Sequence, residues 1–493
     1  MRPWGQNGGG TRRTTKRLIG TLVAAVAVLA LPASAQANLN LTGSHAEPTN
    51  LQAGFHSDFK IHVQFGSENV KDLTISLPPG EVGDPQATPL CNPGDLPNCD
   101  PSTAVGSVSS SVTIASLLPQ TINGTVFNLV PNPGEPARFG IVLNALPITL
   151  PVLGDVLLPP TVVQSGASLR SDFGLDTIVK DIPETATVLP GIDVPIHINS
   201  MDLTLNGMAG GKSFMRNPTS CGAHTVRFSG NSHSSSTIVS QDSPSFTTTG
   251  CDAEDFSPSF TARVGGPGQT ASGVPTTVVT SIDQDLDEAG LKRAAVTVPS
   301  DFNPNGSLLG TTCAPASFQA SACPPASVVG SAVAGSPLLS QPLSGPVVLV
   351  TTSAGLPNLG LDLQGQLHLL LQGSVDVNKT VVFGDIAPGL PDIPIAHFEL
   401  SFPSSPGFLG NVRDMCVGAP PVFHADFRGY NDATTSVDAP ATIVGCGAGS
   451  GKGGTKGKCK KAKKKHKKHH AASAAKKHKK KSCKKKKRKK HRR

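Results

Sequence analysis

The sequence predicts an all-β protein: two tandem, disulfide-stapled, β-sandwich-like modules followed by a disordered basic tail. Three observations predict it. The nine residues CDPSTAVGS beginning at Cys99 return as CPPASVVGS beginning at Cys323. Eight of the ten cysteines fall into two parallel sets. Helical periodicity is scarce, whereas short runs such as KIHVQF, DLTISL, TVFNLV, PVVLVTT and AHFELSF are rich in Val, Ile, Thr and Phe. Many alternate apolar with polar residues and end at Gly, Pro, Asn or Asp, the pattern of half-buried antiparallel strands.

The first element, residues 1–37, reads as a secretory signal. Arg2, Arg12, Arg13, Lys16 and Arg17 precede the apolar run LIGTLVAAVAVLAL, and small residues follow at Ala33, Ala35 and Ala37. That run is 14 residues long, short of the roughly 18 that a spanning helix needs. Export would place the mature chain in a compartment where disulfides persist.

The next two elements are copy 1, residues 38–255, and copy 2, residues 256–447. Cys313 follows Cys91 by 222 positions and Cys323 follows Cys99 by 224, while Cys416 and Cys446 each follow Cys221 and Cys251 by 195. The intervening text agrees in order: VKDLTISLPPG with LKRAAVTVPSD, INGTVFNLV with LSGPVVLV, ARFGIVL with PNLGLDL, and LPGIDVPI with LPDIPI. If each copy keeps its own bonds, the pairs are Cys91 with Cys99, Cys221 with Cys251, Cys313 with Cys323, and Cys416 with Cys446. Zinc is disfavoured because these gaps are not the C-x₂₋₄-C knuckles of tetrahedral sites. Copy 1 carries 29 more residues than copy 2 between its inner cysteines. The surplus is expected within residues 150–183, which also hold the one plausible short helix.

The ordered phrases AGFHSDF, VKDLTISLPPG, GDPQATPLC, CDPSTAVGS and MRNPTSCG resemble a group of large secreted actinobacterial proteins of uncharacterised activity, with tandem cysteine-containing β modules and a Lys-rich C-terminal tail. The likeness spans nearly the whole mature chain. It implies the module architecture and carries over no functional residue. Copy 2 departs from it, with GNVRDMCVG where copy 1 has RNPTSCG.

The last element, residues 448–493, holds 24 of the 43 Lys and Arg and none of the 34 Asp and Glu. Setting aside the five basic residues of the signal, the body carries 14 basic against 34 acidic residues, a net charge of −20 beneath an overall +9. A run of like charges repels itself and cannot bury apolar surface. The expected partner is an anionic cell-wall polymer or membrane surface, bound with counterion release. Nucleic acid is disfavoured by export and by the absence of aromatics for base stacking. The tail histidines His466, His469, His470 and His478 sit among lysines that oppose a metal cation. Cys459 and Cys483 have no counterpart in the duplicated frame.

Signals for chemistry fail one by one. GMAGGKS, residues 207–213, lacks the spacing of a phosphate loop and reads as a Gly-rich hairpin, so no nucleotide is expected. His56 with Asp58, His397 with Glu399 and His424 with Asp426 have the two-residue spacing that puts both side chains on one strand face, without an accompanying nucleophile. Asp283, Asp285, Asp287 and Glu288 could supply hard oxygens to calcium, yet Glu288 stands where a calcium loop needs Gly. The lone Trp is Trp4 and the lone Tyr is Tyr430, which leaves little for stacking on sugars. No catalytic residue, cofactor or metal is assigned. The function expected is a secreted, envelope-associated, non-enzymatic structural protein tethered by its tail. The alternatives are an adhesin or receptor using its β loops, with the copy 1 surplus as its surface, and a hydrolase using His424 or His397.

Overall fold

The computed structural model describes residues 39–446 apart from positions 152 and 354. The signal, residues 1–37, and the tail with Cys459, Cys483 and its histidines lie outside the described residues.

Copy 1 builds a twelve-stranded sheet in which eleven strands lie in series: β1 (His45–Pro48), β2 (Phe59–Gln64), β3 (Val70–Leu77), β4 (Ala104–Ile114), β5 (Leu118–Leu129), β6 (Arg138–Leu143), β7 (Thr161–Leu169), β8 (Leu175–Val179), β9 (Ile192–Leu205), β10 (Arg227–Ser232) and β11 (Ser240–Asp242). Copy 2 contributes β12 (Ser259–Gly265), β13 (Val278–Asp283), β14 (Leu291–Thr297), β15 (Val328–Gly335), β16 (Leu343–Val350), β17 (Asn358–Gln364), β18 (His368–Val375), β19 (Thr380–Phe383), β20 (His397–Phe402), β21 (Val422–Gly429) and β22 (Thr434–Pro440). Across the first sheet the order is β1-β2-β9-β4-β5-β6-β7-β8-β3-β10-β11; across the second it is β12-β13-β20-β15-β16-β17-β18-β19-β14-β21-β22. Each strand of copy 2 thus occupies the place of the strand eleven labels earlier. All of these pairings are antiparallel.

Alternation builds the strands. In β2, Phe59, Ile61 and Val63 are buried while Lys60 and Gln64 are exposed. In β21, Phe423, Ala425 and Phe427 point inward and His424, Asp426 and Arg428 outward. Each fully buried Phe contributes roughly 1.5–3 kcal/mol relative to exposure, so the registry of one face decides the sheet's orientation. After β22 the chain passes through Ala441 into a short strand, Thr442–Val444, which pairs parallel with β12 at the opposite edge. The second sheet therefore curls back on itself around its core. Copy 1 does the same with the bridge between Gln52 and Thr249.

The twice-written phrase encodes one local device. Its cysteine is bonded upstream, and a Pro-initiated 3-10 turn follows, Pro101–Thr103 in one copy and Pro325–Ser327 in the other. Thr103 donates to the Asp100 carbonyl and Ser327 to that of Pro324, each at 2.7 Å. A register shift comes next, between Ala104 and Gly106 and again between Val328 and Gly330. A β-carbon at Gly106 would lie 2.2 Å from the Thr204 carbonyl oxygen, and one at Gly330 2.3 Å from that of Ser401. The glycine is needed because the neighbouring strand approaches too closely for any side chain.

Four disulfides join Cys91–Cys99, Cys221–Cys251, Cys313–Cys323 and Cys416–Cys446.

The surplus of copy 1 lies only partly within residues 150–183. Residues 161–179 form β7 and β8, the counterparts of β18 and β19, and no helix occurs there. The copy-specific material is a hairpin, Leu146–Leu150 with Gly154–Leu158, inserted between β6 and β7, and a second hairpin of Thr185–Leu189 with the extended start of β9. Copy 2 joins β17 to β18 across only residues 365–367. Ile148, Leu150 and Leu158 of the first hairpin pack with Val188, Val194 and Ile196 of the second over Val112, Ile114 and Ile122. This separate small core caps one end of module 1. Short helices occur instead in module 2, at Gly306–Leu309 and Pro315–Gln319.

Candidate functional site

Both modules belong to one compact unit that runs to Gly447, and the built site is the junction between them. Module 1 presents an end made of its 82–85 segment, Pro136, Ala137 and the β7–β8 turn. It is called the docking end below. Module 2 receives it on Leu338, Leu339, Leu343, Leu367, Leu369 and Ile393. Phe173, at the tip of the β7–β8 turn, is 7% exposed and joins the core cluster of module 2 rather than that of module 1. Two glutamines reach across in opposite directions: Gln86 Nε2 donates to the Pro337 and Leu339 carbonyls at 2.6 Å each, and Gln366 Nε2 to that of Pro136 at 3.2 Å. A cavity of about 90 Å³ remains between the apolar faces.

Beside this apolar contact lies a buried polar hub. The phrase MRNPTSC supplies module 1's share. Met215–Arg216 pairs with Val82–Gly83, which holds Arg216 at 3% exposure. Its guanidinium donates to Glu254 Oε1 at 3.0 Å, to the Glu288 carbonyl at 2.6 Å and to the Gly54 carbonyl at 3.3 Å. Thr219 donates its N–H to Asp392 Oδ2 at 2.9 Å and its hydroxyl to Oδ1, and its oxygen accepts the Gly290 N–H at 3.0 Å. Asp392 sits between two glycines, one from each module: a β-carbon would meet its carboxylate at 2.6 Å on Gly80 and at 2.3 Å on Gly290.

Desolvation dominates the hub's electrostatics. Burial raises Glu254 from 4.5 to about 7, against the opposing pull of Arg216. Burial raises Asp392 despite its Thr219 hydrogen bonds, and pushes Glu81, enclosed completely, well up. Burial, with Asp392 nearby, lifts Tyr430 to about 12. Among the described residues, Arg216 Nη1, Glu254 Oε2, Glu288 Oε2 and both Glu81 oxygens have no hydrogen-bond partner. The arrangement locks two surfaces together.

The sequence-predicted candidates sit elsewhere. His56 turns from Asp58 to the Met215 carbonyl at 2.9 Å, with Asp287 at 3.6 Å, while Asp58 accepts the Gly207 N–H. His397 pairs with Asp283 at 2.6 Å rather than with Glu399. His424 lies on the outer face of β21 between Asp438 at 2.7 Å and Asp426 at 3.2 Å, and its hydrogen bond to Asp438 raises its pKa. Asp285 and Asp287 are exposed and Glu288 is buried against Ser257. Among the described residues, no group of three or more His, Cys, Asp or Glu is placed to hold a metal ion. GMAGGKS forms the hairpin Met208–Ala209 with Lys212–Ser213, turned by Gly210 and Gly211 at positive φ. Each module also encloses a small apolar void within its curled sheet, about 80 Å³ in the first and 90 Å³ in the second. These fall below the roughly 300 Å³ where ligand pockets begin.

Sequence reading missed the hub. The signal that marks it is a phrase in which the copies disagree around a shared Asn, RNPTSCG against GNVRDMCVG. Asn217 Nδ2 donates to the Asn50 and Gln52 carbonyls, both at 2.7 Å, and Asn411 Nδ2 to those of Gln269 and Ala271 at 2.7 and 3.2 Å. That clamp is common to both copies. Arg216, just before the first clamp, has Gly410 as its counterpart before the second. The arginine and threonine occur only in the copy whose end is covered by another module.

No protein-family model matches the chain, and no curated protein matches it in sequence. Among solved structures, it is similar to one from Corynebacterium diphtheriae, a protein named for an inferred membrane anchor. The identity is 10% and the TM-score 0.18, over 69% of this chain and 96% of that one. At that score the likeness bears on neither fold nor function.

Proposed function

We propose that this chain is an exported, non-enzymatic structural protein of the cell envelope, in which two locked β modules are held at the surface by the basic tail. The observation that carries the reading is the junction, where buried Arg216 and Thr219 of module 1 hold the Glu288 carbonyl and Asp392 of module 2. Four disulfides suit a compartment outside the reducing cytosol. The charge split supplies the tether, with 24 cationic residues on the tail against a body of net −20. Cell-wall fractions from cells producing the full chain and a version ending at Cys446 test it. Release of the shortened chain into the medium supports tethering, and equal retention of both refutes it.

A further inference from the structure

The docking end of module 1 has a topological counterpart in module 2, built on a shorter turn, and that counterpart is uncovered. Leu356 and Pro357 stand where Pro136 and Ala137 stand, Val377 and Lys379 where Leu169 and Leu175 stand, and Phe408 where Phe214 precedes the hub strand. In module 2 these residues line an open apolar cleft of about 300 Å³. Val377, on the turn equivalent to that of Phe173, is 86% exposed beside it.

At the opposite pole, the receiving end of module 1 is extended by the two copy-specific hairpins. Their inner faces form the small core described above, but their outer faces are apolar too. Leu157 is 59% exposed, Leu189 43%, Leu153 37% and Ile192 36%, and Leu117 in the neighbouring β4–β5 turn is 69% exposed. An uncovered docking end and an apolar extension of a receiving end therefore occur on one chain. Within the chain, the same two kinds of end are joined by apolar burial and reciprocal glutamine contacts.

We propose that copies of this chain associate head to tail, the cleft of module 2 in one copy receiving the capping hairpins of module 1 in the next. The occupant is a second copy because the internal junction already pairs these ends in this sense. Such a contact is heterologous and leaves a free end on each side, so it propagates into a linear array. Arg216 and Thr219 lack counterparts in module 2, so the intermolecular contact has no buried polar hub and is weaker than the internal one. The inference is independent of the tail and does not depend on the tethering proposed above.

Sedimentation of the full chain across concentration, at physiological salt, tests it with two surface variants, Val377→Asp and Leu157→Asp. Both positions are exposed, and unchanged thermal unfolding checks that each variant folds. The wild type should assemble with rising concentration, and each variant alone should lose association by at least about tenfold, the effect of losing roughly 1.4 kcal/mol. Mixing the two should restore binding, because one retains the hairpins and the other the cleft, and growth should stop at a pair. A wild type that stays monomeric overturns the proposal. So does self-association of either variant alone at wild-type strength, which would mean an isologous contact. Binding of a monomeric chain to phosphatidylcholine–phosphatidylglycerol vesicles, lost in Leu157→Asp, would assign the hairpins to a lipid surface and overturn it as well.

Discussion

Replacing Arg216 with Met should destabilise the protein, and more so at pH 8 than at pH 5. Arg216 is 3% exposed and 3.0 Å from Glu254 Oε1. Its removal strands the Gly54 and Glu288 carbonyls, which at roughly 1–3 kcal/mol per unsatisfied group costs about 2–6 kcal/mol at any pH. The remainder depends on Glu254. Its folded-state pKa is raised from 4.5 to about 7, so the folded state holds the proton more tightly than the unfolded chain. The stability this contributes is complete below pH 4.5 and lost as pH rises through 7. At pH 5 the carboxyl is neutral with or without Arg216. At pH 8 the wild type ionises it beside the guanidinium, whereas the variant must keep it protonated about one pH unit above the wild-type midpoint, adding about 1.4 kcal/mol. Urea denaturation of both chains at the two pH values measures this. A second substitution, Glu254→Gln, should abolish the pH difference. Equal losses at pH 5 and pH 8, or a smaller loss at pH 8, would refute the electrostatic account of the hub.

Asn217→Ala and Asn411→Ala should each cost roughly 2–6 kcal/mol, because each strands two carbonyls held by one amide; denaturation midpoints that move for only one would break the equivalence of the clamps. Gly106→Ala and Gly330→Ala should both lower the melting temperature by several degrees, since a β-carbon has no room beneath Thr204 or Ser401; a neutral result at either, read by calorimetry, would contradict the close strand approach. Replacing Cys221 and Cys251 by Ser opens a bridge of sequence separation 30. On the loop-entropy model this should cost about 3–4 kcal/mol, and an unshifted denaturation curve would count against it.

Much of the fold was legible because duplication turns one sequence into its own alignment. The cysteine spacing and the ordered phrases mark counterparts that now occupy matching places in the two sheets. The surplus of copy 1 was only partly placed, for a physical reason. The phrases anchor the copies at ARFGIVL and again at LPGIDVPI, and the difference in cysteine spacing measures the surplus without placing it between them. TVVQSGASL and LDTIV have the β-branched character of strands, and their pairing partners in the sheet decide that they are shared. The hub was not legible at all. Thr219 meets Asp392 from 173 positions away, and Arg216 meets Glu254 from 38. Neither partner carries a local pattern, because burial at a junction is a property of two surfaces. Only the disagreement between the two copies at RNPTSCG marked the place.

One module occurs twice, with the same end covered in the first copy and open in the second. Hydrogen–deuterium exchange of the full chain, dilute enough to be monomeric, compares those ends directly. Amides at residues 82–84 and 169–175 should exchange at least about tenfold more slowly than their counterparts at 303–305 and 377–379, since burial at an interface suppresses local opening. Equal rates at the two ends would contradict the claim.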